Sequence, residues 1–133
     1  MKTKHCLTLQ DCKKMTAACE AEARRNGWNV AIAVVDDGGH PLMLLRMDGA
    51  SPANAENAVQ KGRTAAITRR STKVWEERIL GGRVSTLSMP VMAVQGGIPL
   101  VHEDQCVGAI GVSGVQSPQD EQIALAGAAV LAP

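Results

Sequence analysis

Residues Val30–Met47 read VAIAVVDDGGHPLMLLRM: an apolar run, a turn carrying two glycines and a proline, and a second apolar run. Val30–Asp36 is rich in β-branched side chains, which fit a pleated surface, and it reads as a buried strand. Asp37-Gly38-Gly39-His40-Pro41 is too short to hold a crossover helix. Leu42–Met47 is therefore expected to return beside the first strand as a hairpin. A chain that opens its sheet with a hairpin is building an antiparallel sheet, and helices must cover its apolar faces.

Upstream of the hairpin, Leu9 to about Arg25 reads as a helix with an approximate apolar stripe of Leu9, Cys12, Met15 or Thr16, Cys19 and Ala23. Thr8 and Asp11 are spaced to satisfy its first amides, and Asn26-Gly27 can end it. Downstream, Ser51-Pro52 opens another helix, with Ser51 expected as the cap and Pro52 as the first helical residue. Ala55, Ala58, Val59, Gly62, Ala65 and Ala66 give that helix a small-residue face that a neighbour can approach closely. Ser71–Leu80 reads as a shorter helix. A third strand falls at either Met89–Val94 or Ile98–Val101, and after the turn His102–Gln105 the run Cys106–Ser113 reads as a buried strand. Ser117-Pro118-Gln119-Asp120 starts a last, Ala-rich helix that runs through Val130. The order predicts one α/β domain of the α+β type over residues 1–133, with a largely antiparallel central sheet packed with helices.

The 133 residues contain no Phe or Tyr, two Trp and six Met, so the core must be aliphatic, with Met filling irregular space. A formal charge of +1 gives no reason to expect a nucleic-acid partner, and no apolar run is long enough and clean enough to span a membrane. With no secretory signal in MKTKHCLTLQDCKK, the expected location is cytoplasmic. Cys6, Cys12, Cys19 and Cys106 form no CxxC pair and are expected to be free thiols. GAIGVSG is not the GxGxxG arrangement of an NAD site, there is no GxSxG nucleophile elbow, and neither HxxxH nor HExxH marks a structural zinc.

The densest polar constellation lies in Val34–Ala50, where Asp36, His40, Arg46 and Asp48 bracket the hairpin. Arg46 can pin a planar carboxylate or simply pair with Asp36 or Asp48 at the surface. His40 can ligate a metal, exchange a proton or face water. His102 begins the turn HEDQ and is a further candidate, and Met89 or Met92 is able to oppose a histidine on haem iron. Lys61, Arg63, Arg69, Arg70 and Lys73 follow one another with no carboxylate between them, which suits either an anion or a solvated helix face.

Three blocks carry a resemblance over about Leu7–Leu131: VVDDGGHPLMLLRMDGA, KGRTAAITRRST at Lys61–Thr72, and GGIPLVHEDQCVGAIGVSGVQSPQDEQIALAG at Gly96–Gly127. The chain resembles the GlcG/HbpS family of small haem-binding proteins, also found as a domain attached to some corrinoid adenosyltransferases. The resemblance implies a profilin-like fold, assembly into dimers or larger homo-oligomers, and haem or a related tetrapyrrole as ligand. It implies propionate partners among Arg46, Lys61 and Arg63, and His40 as the iron ligand. Thr68 departs from the family's usual aromatic residue, and Ser71 from the proline of its RPT segment. Two other readings stand beside this one. One is a catabolic enzyme or sensor for a small carboxylate, held by Arg46 with His40 exchanging a proton. The other is a homo-oligomeric structural or regulatory module. The lack of a complete catalytic constellation favours binding over turnover.

Overall fold

The computed structural model describes residues 1–131. Its elements are α1 (Leu9–Arg25), β1 (Ala31–Asp36), β2 (Pro41–Arg46), α2 (Ala53–Thr68), α3 (Thr72–Leu80), a 3-10 turn at Val84–Ser88, β3 (Gly97–His102), β4 (Gln105–Ser113) and α4 (Ser117–Leu131). The four strands lie in the order β2-β1-β4-β3, every pair antiparallel, as the hairpin reading requires. The third strand takes the later of its two expected places, and Met89–Val94 stays irregular.

β1 is buried on both sides, and its sequence shows why the two sides differ. Val30, Ile32 and Val34 face a thick core built with Cys12, Met15, Cys19 and Ala23 of α1 and Ile123 and Ala124 of α4. Ala31, Ala33 and Val35 face α2, where Ala58, Ala65 and Ala66 meet them. Small residues on both partners let α2 sit almost on the backbone. A Cβ on Gly111 of β4 would run into the Ala58 carbonyl, and one on Gly62 would come 3.3 Å from the Gly111 amide. Burial pushes the Cys19 thiol up to about 12, so it stays protonated in the core. All four cysteines are free.

The caps divide into one expected and one not. Thr8 accepts the Asp11 amide while Asp11 accepts the Thr8 amide, closing a capping box that holds the Asp11 carboxyl below its usual range. At α2, Pro52 takes the cap position and no side chain caps the helix. Ser51 instead receives a hydrogen bond from the Asn54 side chain, so its expected capping role is not made. Ser71 does cap α3, accepting the Lys73 amide.

Antiparallel pairing fixes which groups share an end of the sheet. The β1–β2 turn around Gly38-Gly39 and the β3–β4 turn at Glu103-Asp104 lie at the same end, and residues 4–7 are tied to both. Lys4 pairs with Asp37 at 2.9 Å, and His5 meets Glu103 at 2.9 Å. Among the described residues, no helix is long and apolar enough to cross a membrane.

Candidate functional site

A cavity of about 660 Å³ lies against the outer face of α2 rather than along the hairpin. Glu56, Asn57, Gln60 and Arg63 form its polar wall, and Ile79, Leu87, Met89, Pro90 and Val91–Val94 its apolar one. The apolar wall is irregular backbone, so it needs anchors. The buried Thr64 hydroxyl accepts the Met92 amide at 2.8 Å, and Thr72 accepts the Gly97 amide at 2.8 Å. Gln95 donates to Glu121 at 2.6 Å. Thr86 lines the same cavity with its hydroxyl buried and without a hydrogen-bond partner among the described residues. A buried unpaired hydroxyl is costly, which makes it a natural contact for a polar ligand atom.

Of the expected polar binding residues the cavity takes Arg63, together with Met89 and Met92, the two methionines considered as iron ligands. Gly39 packs on the Arg63 stem, since a Cβ there would come 2.8 Å from Arg63 Cγ. The turn bearing His40 therefore abuts the residue that forms the cavity wall, although His40 itself is exposed and not part of the lining. Asp36 is committed to that turn: its Oδ1 accepts the amides of Gly38 and His40, each at 2.9 Å. Arg46 and Asp48 are exposed at the opposite end of the sheet. At about 3.4 Å per residue, His40 and Arg46 are separated by roughly 20 Å of extended strand. One small carboxylate cannot touch both.

Lys61 corrects the expectation most sharply. It is 3% exposed, and its ammonium donates to Asp120 at 3.1 Å and to the Val112 carbonyl at 3.0 Å. Asp120 in turn accepts the Val115 amide. Burial pushes the Asp120 carboxyl up, and the Lys61 charge opposes that shift. Lys61 thus joins α2 to α4 across the end of β4 and lines neither the cavity over α2 nor the smaller one beside His102. The basic run is likewise dispersed. Arg69 donates to the Asp37 and Ala66 carbonyls, while Lys73 lies 3.9 Å from Glu77. His102 lies at the far hairpin, lining a second cavity of about 190 Å³ with His5, Cys6 and Asp11.

A family model described as "Haem degrading protein HbpS-like" matches residues 7–129. The protein GlcG of Escherichia coli K12 is 47% identical over 114 residues, 85% of either chain. The chain belongs to this family. A crystal structure of a double mutant of HbpS from Streptomyces reticuli superposes with a TM-score of 0.91 at 33% identity, covering 100% of this chain and 92% of that one. The crystal structure of the PduOC–haem complex gives 0.86 at 26% identity and 96% coverage of each chain.

Within the HbpS-like family, this chain's two departures from pattern make local sense. Thr68 accepts the Trp75 indole N–H at 3.2 Å and donates to the Thr64 carbonyl at 2.6 Å, so its hydroxyl ties α3 to α2. Ser71 caps α3 and donates to Glu121 at 3.2 Å, contacts a proline could not make. The sequence reading missed Gln60 and Thr86, and it named Met89 and Met92 without recognising Leu87–Val94 as one wall. The available signal was MPVMAV itself, an apolar run between glycine pairs that never settles into a period of two.

Proposed function

We propose that this protein binds haem or a related tetrapyrrole in the cavity over α2, as a cytoplasmic accessory protein without a catalytic constellation of its own. The supporting observation is the composition of that cavity: an apolar wall of Met, Val and Pro, a wall carrying Arg63, and in the lining Thr86, whose hydroxyl has no partner among the described residues. These residues fit a flat amphipathic guest, whose apolar face needs aliphatic cover and whose carboxylates need a cation. Family membership and a structural relative described as a haem complex point the same way. The free thiols fit a reducing compartment.

In this reading Arg63 pairs with a propionate, and Met89–Val94 cover the macrocycle. When bound, haem supplies the iron centre and its ligand and electron chemistry. The iron ligand comes from the rim or the wall: His40 on the adjoining turn, or the thioether of Met89 or Met92. The second copy of the chain is a natural neighbour, because Leu42 and Leu44 of the edge strand β2 stay 40% and 46% exposed.

Titrating untagged native protein with haem and following visible absorption tests the reading. The expected result is a saturable stoichiometric complex that Arg63→Ala weakens about tenfold. Loss of the native iron bands in His40→Ala assigns the iron ligand to His40, and unchanged bands remove His40 from that role. Uptake no tighter than that of an unrelated apolar protein would refute specific binding.

A further inference from the structure

At the turn end of the sheet the fold brings His5 beside His102 and Glu103, a group of metal-binding side chains. One donor atom each from His5, His102 and Glu103 lie within 4.8 Å of one another. We propose that these three residues form a binding site for a divalent transition-metal ion, Zn2+ being the ion that suits them best, and that the ion locks the N-terminal segment to the β3–β4 turn.

The donor set selects the metal class. Two imidazoles and one carboxylate suit zinc and its neighbours, whereas calcium and magnesium want oxygen-only ligands. Zn2+ holds such donors at about 2.0–2.2 Å, so a tetrahedral ion needs them roughly 3.3–3.5 Å apart. His5 Nε2 and Glu103 Oε2 are already at 2.9 Å, sharing a hydrogen bond that the ion would replace. The remaining closure, up to about 1.5 Å, falls mainly on exposed side chains, since those of His5 and Glu103 are 50% and 70% exposed. Closing it costs side-chain rotation and no change of fold.

Several features hold the group together before any ion arrives. The His5 amide donates to Gln105 Oε1 at 3.2 Å, which fixes the backbone of the N-terminal segment against the hairpin. The two imidazoles pack edge to face with ring centres 4.9 Å apart. His102 Nδ1 is buried and has no hydrogen-bond partner among the described residues, so the ring carries an uncommitted nitrogen. Both rings line the 190 Å³ cavity, which leaves room for water as a further ligand. Asp11, on the same cavity wall, is committed to the Thr8 cap and is not counted as a ligand.

The site is independent of the tetrapyrrole cavity, since none of its three residues lines that cavity. The test uses the untagged full chain, free of haem, titrated with Zn2+ alone by calorimetry and with Co2+ alone by visible absorption. The account expects one ion per chain, at least a tenfold loss of affinity in His5→Ala and in His102→Ala, a smaller loss in Glu103→Gln, and no change in His40→Ala. It also expects slower amide exchange of residues 4–8 when Zn2+ is bound. Weak uptake of several ions, an affinity that the His5 and His102 changes leave intact, or exchange unaltered at residues 4–8 would overturn it.

Discussion

Lys61 shows how a residue can be legible as important and misread in role. The sequence marks it as the first cation of a run facing no carboxylate, and its partner Asp120 stands 59 positions away, beyond any local pattern. Removing one member of such a buried pair strands the other charge, so Lys61→Met should cost about 3–5 kcal/mol, measured by urea denaturation. Replacing Lys61 by Met and Asp120 by Leu together should cost less than the two single changes summed. At temperatures where Lys61→Met is folded, its haem affinity should match the native protein. A selective loss of haem binding without loss of stability would return Lys61 to the ligand. Asp11 supplies the pH test. Its carboxyl is held below the usual value of 3.8 by the Thr8 hydrogen bonds, so its contribution is present above that value and is lost as pH falls through the lowered one. Asp11→Asn should therefore lower the melting temperature at neutral pH and flatten its decline on the acid side. An unchanged acid limb would contradict the capping box as the source.

The elements themselves were largely readable, and the reason is periodicity. α1 runs from Leu9 to Arg25 as its stripe and cap demand, and the DDGGHP turn leaves the two runs beside it no choice but a hairpin. The failures lie where no period exists. Met89–Val94 offered itself as a strand on composition alone, but β3 occupies the edge next to β4, and the run became a cavity wall. The closeness of α2 to the sheet was legible on both sides, in the helix's small residues and in Gly108 and Gly111 of β4, whose missing side chains permit close approach. Gly111→Ala pushes a methyl into the Ala58 carbonyl and should destabilise by about 1–3 kcal/mol, seen as a lower urea midpoint at constant slope. No loss of stability would mean that α2 can lift from the sheet, and that the fold does not depend on this contact.

At the scale of the whole molecule, the sequence grouped residues by chain proximity and the fold regrouped them by sheet end. His40 and Arg46, six positions apart, sit at opposite ends of β2, whereas His5 and Glu103 meet. Distances of this kind depend on register and topology, which no local motif encodes. Assembly is testable here too. Leu44→Lys places a charge on the exposed face of the edge strand and should shift the protein toward smaller species in light scattering, if copies of the chain meet there. An unaltered mass would move the contact elsewhere. The central claim remains the cavity on α2. Its most direct test is a two-dimensional amide NMR spectrum of the native protein recorded as ferric haem is added. The account predicts that the strongest broadening falls on Gln60, Arg63, Thr86 and Met89–Val94, with Arg46 and Asp48 unaffected. Broadening centred on the β2 end at Arg46–Asp48, or spread evenly over the surface, would contradict it.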